Sequence, residues 1–225
     1  MGDPLPVFPL GTVLFPGVSL PLHIVEDRYR SLVHDLLTVS DPQRRRLGIV
    51  AIREGYEVGS HGMQSAHRIG CEAQLLAARE LPDGRYDIVV GGRRRLLLEE
   101  IDTSGEYLRG AISYLEERPG ENATEAARHA LATYGRWRKA VTANGVDNLP
   151  DIDGQEHTGD PLSLSFALSS AVSLTLRERQ QLLEADDGAT RLATLTSMLS
   201  DELKAMRAVP SLPATELSRT AWSPN

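Results

Sequence analysis

At 225 residues the chain has room for one large domain or two small ones, and a length of this order buries roughly 70% of the extended surface, so no disulfide or metal staple is required. Hydrophobic residues make up 41% and charged residues 24%, an ordinary globular balance, and no apolar run approaches the ~18 residues of a membrane span. A single cysteine, Cys71, excludes an intramolecular disulfide or a thiolate metal cluster, and a net charge of −7 weighs against a dedicated nucleic-acid binder, because phosphates call for clustered Lys and Arg.

The N-terminus has no basic segment leading into an apolar stretch, so no secretory signal is read there and a cytoplasmic location is expected. From Val7 to about Glu117 short β-type runs alternate with Gly and Pro: Val18–Ile24, Leu47–Ile52, Cys71–Arg79, Tyr86–Val90, Arg95–Ile101 and Leu108–Leu115. Pro16-Gly17, Pro82-Asp83-Gly84 and Gly91-Gly92 read as turns, the second of them as a hairpin. One segment breaks the pattern. Between Glu26 and Ser40, Tyr29, Leu32, Val33, Leu36 and Leu37 recur at helical spacing.

After Pro119-Gly120 the period becomes helical. Ala127, Ala130, Leu131, Tyr134, Trp137 and Val141 stripe one long helix, capped by Asn122 or Thr124 and stopped at Asn144-Gly145. Asp160-Pro161 opens a second helix, and Thr175 with Glu178 has capping-box spacing for a third that ends near Asp187-Gly188. Leu192, Leu195, Leu199, Leu203 and Met206 stripe the last helix, which could pack internally or form a homodimer. The expected domains are a β-rich subdomain over 1–118, a helical bundle over 119–209 and a flexible tail over 210–225.

Most catalytic signatures are missing. Only two of the 24 basic residues are lysines, Lys139 and Lys204; each is followed by Ala, so neither ends a phosphate-cradling loop. No His precedes a Glu, which removes the helical zinc motif, and neither a Gly-x-Ser-x-Gly elbow nor a dinucleotide Gly-x-Gly-x-x-Gly occurs. Ser60-His61 reads as a polar turn, Asp151-Ile152-Asp153-Gly154 lacks the ligand spacing of a calcium loop, and Asn122-Ala123-Thr124 is a helix cap more simply than a glycosylation site. Cys71 alternates with Ala73 and Leu75 and reads as inert packing. No catalytic residue, metal or cofactor is expected.

Two basic clusters stand out, Arg44-Arg45-Arg46 and Arg93-Arg94-Arg95. Each leads into an apolar strand, so at least one arginine per triplet must turn from solvent or pair with a carboxylate; Asp87, Glu99 and Glu100 are near enough in sequence to neutralise the second cluster. The choice is between a salt-bridged rim and anion contacts through Arg93, Arg94 and Arg95.

The densest peculiarity is at the start: Pro6-Val7-Phe8-Pro9-Leu10, Val13-Leu14-Phe15-Pro16-Gly17, Leu20-Pro21-Leu22-His23-Ile24 and Glu26-Asp27-Arg28-Tyr29. Prolines at this density suit extended edge strands, not a central ladder. In order and spacing the run resembles the opening of the Lon protease N-terminal domain, the substrate-binding domain of that ATP-dependent protease. Gly70-Cys71-Glu72-Ala73, Pro82 through Tyr86, Gly92 through Leu96, Arg179-Gln180, Leu182-Leu183-Glu184 and Arg191-Leu192 extend the resemblance over about residues 5–208. Val25 departs from it, standing where the family usually has Phe, and the chain stops where the full protease continues into an AAA+ motor and a Ser-Lys protease domain, as a stand-alone N-domain protein would.

The resemblance implies an α+β fold, a PUA-like β-barrel with one inserted helix followed by a C-terminal helical bundle. It implies a non-catalytic module that grips unfolded or extended polypeptide, with a separate protease as an expected collaborator and no membrane partner. Leu14, Phe15, Pro16 and Leu22 are the expected apolar contacts. The competing readings are an RNA-binding or RNA-modification accessory built on the barrel and its arginines, which the net charge opposes, and an enzyme, for which no nucleophile–base pair is present.

Overall fold

A computed structural model places residues 4–53, 66–152 and 160–208, in two units, Met1–Glu116 and Glu117–Asn225. Ser60 and His61, Asp153-Gly154 and the tail from 209 onward lie outside the described residues. Among those described, the chain is mixed α and β, with one six-stranded sheet and five α-helices.

The first unit runs β1 (Leu5–Leu10), β2 (Ser19–Ile24), α1 (Asp27–Thr38), a 3-10 turn (Pro42–Arg44), β3 (Arg46–Ala51), β4 (Ile69–Glu80), β5 (Tyr86–Asp102) and β6 (Arg109–Tyr114). The strand order is β2-β5-β4-β3-β1-β6, and β6 also pairs with β5. A path of hydrogen bonds therefore leaves β5 through β4, β3, β1 and β6 and returns to β5. Only β1 and β3 are parallel.

The proline-rich start does not behave as a simple edge. Pro21 does, because β2 pairs with β5 alone and Val18 accepts from Gly92, which by alternation turns the Pro21 nitrogen to the open side. β1, however, lies between β3 and β6. Val7 donates to Leu108 on the β6 side at 2.8 Å, and Leu10 accepts from Ile52 on the β3 side at 2.9 Å. By the same alternation Pro9 faces β6 after that pairing has ended, and Pro6 faces β3 before its register begins at Val7. Each missing N–H thus falls where no ladder partner exists.

Gly91-Gly92 is not a turn. The sequence suggests a turn, yet β5 passes through it as one 17-residue strand. Gly92 donates to Val18 at 2.8 Å and accepts from Gly17 at 2.9 Å, and a Cβ on it would penetrate the Phe15 carbonyl. The glycine serves a close backbone approach. By contrast Gly84, at φ 78°, does turn the β4–β5 hairpin. Helix α1 buries Tyr29, Leu32, Val33 and Leu36 against Ile49, Cys71 and Ile88 of the sheet, and Cys71 is fully enclosed there.

The second unit contains α2 (Ala123–Ala143), α3 (Pro161–Ala171), α4 (Leu176–Glu184) and α5 (Gly188–Ala208). Asn122 caps α2 with φ 54°, Asp160 accepts from the Leu162 N–H with Pro161 at the first helical position, and Thr175 and Glu178 form the reciprocal capping box. Asp187 does not end α4, which stops at Glu184. It opens α5 instead, accepting from the Thr190 N–H at 2.7 Å. Leu192, Leu195 and Leu199 are fully buried, with α5 packed on α2 and α3, so that part of the stripe is used within the unit.

Candidate functional site

The arginine triplets divide their labour. Arg45 turns back, its Nε donating to the Val39 carbonyl at 3.0 Å and its Nη2 to Leu37 at 3.4 Å, closing the C-terminal carbonyls of α1. Arg95 points inward, is 2% exposed and donates to the Glu116 carbonyl at 3.5 Å. The remaining four converge. Arg44 ends the 3-10 turn and Arg46 begins β3, while Arg93 and Arg94 come from β5.

A register shift brings the last two to the same surface. Gly92 pairs with Ala73 and Arg94 with Glu72, so Arg93 is the extra residue of a bulge. Strict alternation would send Arg93 and Arg94 to opposite faces; the bulge leaves both exposed. Arg44, Arg46, Arg93 and Arg94 line one concavity of 470 Å³ together with Asp41, Gln43 and Glu72.

Glu72 is the support of this site. It sits on β4 opposite Cys71 in the strand alternation and is 1% exposed. Arg46 Nη1 lies 3.5 Å and Arg94 Nε 3.7 Å from its carboxylate, and the Tyr114 hydroxyl donates to it. Arg94 in turn lies 3.3 Å over the Tyr114 ring. Burial, and then the bond to Glu72, raise the Tyr114 phenol above its ordinary value. Arg93 donates to the Gln74 side-chain oxygen, and Gln74 donates to the Pro42 carbonyl at 3.2 Å. Asp41 accepts from the Gln43 N–H at 2.9 Å. Among the described residues, neither Arg44 nor Arg93 forms an ion pair.

The carboxylates nearest in sequence are not those used. Asp87 pairs with Arg79 and His23, which hold its carboxyl below the usual range, and Glu99 and Glu100 are exposed on β5. The signal for Glu72 was the alternation of Cys71, Ala73 and Leu75, which places Glu72 and Gln74 together on the opposite face.

The structure places the apolar contacts expected at Leu14, Phe15, Pro16 and Leu22 at different depths. Phe15 is 0% exposed, Leu14 packs with Ile24 and Tyr29 in the core, Pro16 is buried, and Leu22 packs partly against the same core. A ligand reaches the first three only by opening the core. Among the described residues, the large apolar side chains most exposed to solvent are Val25, Leu76 and Tyr114. Among the described residues no group of His, Cys, Asp and Glu is arranged to hold a metal ion, and no helix is long and apolar enough to cross a membrane.

Comparison with known proteins decides the family. Residues 4–201 match the model of the ATP-dependent protease La (LON) substrate-binding domain. The chain belongs to the Lon substrate-binding domain family. The Lon protease of Flavobacterium johnsoniae is 33% identical over 209 residues, covering 89% of this chain and 24% of that protein. The Lon protease of Escherichia coli K12 is 26% identical over 205 residues, covering 88% and 25%. The chain thus spans about a quarter of the length of the curated relatives it matches. The fold of this Lon-family chain is shared with the N-terminal domain of the Mycobacterium avium complex Lon protease, at 23% identity and TM-score 0.64 over 88% of this chain and 99% of that one. It is shared also with a Lon N-terminal domain protein from Xanthomonas campestris, at 21% identity and TM-score 0.59 over 87% and 98%.

Proposed function

We propose that the protein is a non-catalytic module that grips unfolded or extended polypeptide and presents it to a separate protease. The observation that carries this reading is the match of residues 4–201 to the Lon substrate-binding domain. The closed circuit of strands, read as a PUA-like β-barrel with α1 inserted, is the rigid frame. Apolar contact falls to surface side chains such as Leu76 and Val25 rather than to the buried Leu14 and Phe15. The open side of β2 offers backbone groups to an extended segment, with Pro21 interrupting the row.

The test is fluorescence anisotropy of the purified protein against a labelled unfolded polypeptide and a labelled RNA, at low and at physiological salt. Salt-tolerant binding of the unfolded chain is expected, with the polypeptide recovered intact after incubation. Binding of RNA alone, collapsing as salt rises, would retire the reading in favour of nucleic acid.

A further inference from the structure

The geometry points to the concavity of Arg44, Arg46, Arg93 and Arg94 as a receptor for an acidic stretch of extended polypeptide, with two carboxylate side chains of an acidic-x-acidic sequence entering together. This rests on the polypeptide-binding reading above and names the class of segment bound.

Three features carry it. The first is convergence: two basic clusters from different parts of the chain meet at one surface, through the 3-10 turn on one side and the β5 bulge on the other. The second is preparation. Glu72, buried between Arg46 and Arg94, and Gln74, held by the Pro42 carbonyl against Arg93, fix guanidinium groups before any ligand arrives. The third is imbalance. Four guanidinium groups face two carboxylates, Asp41 and Glu72, an excess of two positive charges, and Arg44 and Arg93 have no ion pair among the described residues. Planar guanidinium forks match carboxylates, and alternate residues of an extended chain project to one side about 7 Å apart, so two acidic side chains reach one concavity.

A polyphosphate backbone fits less well. The chain carries net charge −7, which repels a long polyanion. Base stacking needs an open aromatic face, and one face of the Tyr114 ring beside the site is already taken by Arg94 at 3.3 Å.

The experiment measures anisotropy of the full chain with two labelled extended peptides that share their apolar residues and differ only in Glu-x-Glu against Gln-x-Gln, with a labelled RNA alongside. The Glu peptide is expected to bind about fivefold tighter or more, two exposed charge pairs being worth about 1 kcal/mol or more together. Arg44→Gln with Arg93→Gln should erase that preference, leave the Gln peptide's affinity unchanged and leave thermal melting unaltered. Equal binding of both peptides, or a preference that survives the double variant, overturns this assignment while polypeptide binding stands. Binding of neither peptide overturns both readings. RNA binding that is lost in the double variant overturns it in favour of nucleic acid.

Discussion

Trp137 on α2 donates its indole N–H to Glu202 on α5 at 2.7 Å, across 65 residues of sequence. Burial raises the Glu202 carboxyl above its usual 4.5; the indole bond pulls it down and the nearby Glu178 pushes it up. A carboxyl raised in the folded state stabilises most when protonated, below the unfolded value, and that contribution fades as pH climbs through the folded value. At neutral pH the charge on Glu202 therefore opposes folding. Glu202→Gln keeps an oxygen acceptor for Trp137 and removes the charge. It should raise the melting midpoint at neutral pH and leave it nearly unchanged below 4.5, followed by circular dichroism. A lower midpoint at neutral pH would show that the charge is stabilising.

Arg191 holds the end of α4. It is fully buried, with Nε donating to the Leu182 carbonyl at 2.7 Å, Nη2 to Ala185 at 3.4 Å and Nη1 to the Ser165 hydroxyl at 2.8 Å, while its guanidinium lies 4.0 Å over Phe166. A lysine has one ammonium and cannot reach three diverging acceptors. Arg191→Lys should cost about 2–4 kcal/mol in urea unfolding. A loss below about 0.5 kcal/mol would mean that water serves these carbonyls equally well.

Gly92→Ala tests the close approach of β5 to the Phe15 segment. The added methyl would penetrate a backbone oxygen, which cannot swing aside as a side-chain tip can. We expect destabilisation of about 2 kcal/mol or more. Gly11→Ala, with open space around the new Cβ, serves as the control. Similar urea midpoints for the two variants would refute the contact.

Asp187 caps α5, and the bond from the Thr190 N–H holds its carboxyl below the usual range. A carboxyl lowered in the folded state stabilises above its unfolded value and loses that contribution as pH falls through the folded one. Asp187→Ala should cost about 1 kcal/mol at neutral pH, and the gap to the parent should close as the solution is acidified. A gap independent of pH would assign the effect to packing rather than to charge.

Much of the architecture was legible in local pattern. The caps at Asp160 and Thr175, the hairpin at Gly84 and the α1 stripe through Leu32 and Leu36 follow from residue chemistry within a few positions. What failed was non-local. Gly91-Gly92 carries the composition of a turn, and only the approach of Phe15 explains its extended form. Pro6 and Pro9 suggest an edge because sequence does not show where each neighbouring ladder starts and stops. Leu14 and Phe15 stand out in sequence for their unusual company, but apolar residues at a sheet's heart and on its surface look alike there, and the fold is what shows both to be buried. The arginine concavity was half visible: both triplets were evident, whereas their meeting depends on a bulge of one residue and a glutamate from a third strand.

The pairing of β1 with β6 has a consequence for the order of synthesis. Of the described strands β1 is made earliest, and it pairs along one side with the one made last, which ends at Tyr114. At about 5–20 residues per second, β1 waits several seconds or more for that partner. During that interval it is an apolar strand with a free border, the kind of template on which nascent chains stick to one another. Pro6 and Pro9 each remove a donor from it, one on either border, so the residues that give this segment its unusual look also leave such a template fewer hydrogen bonds to offer.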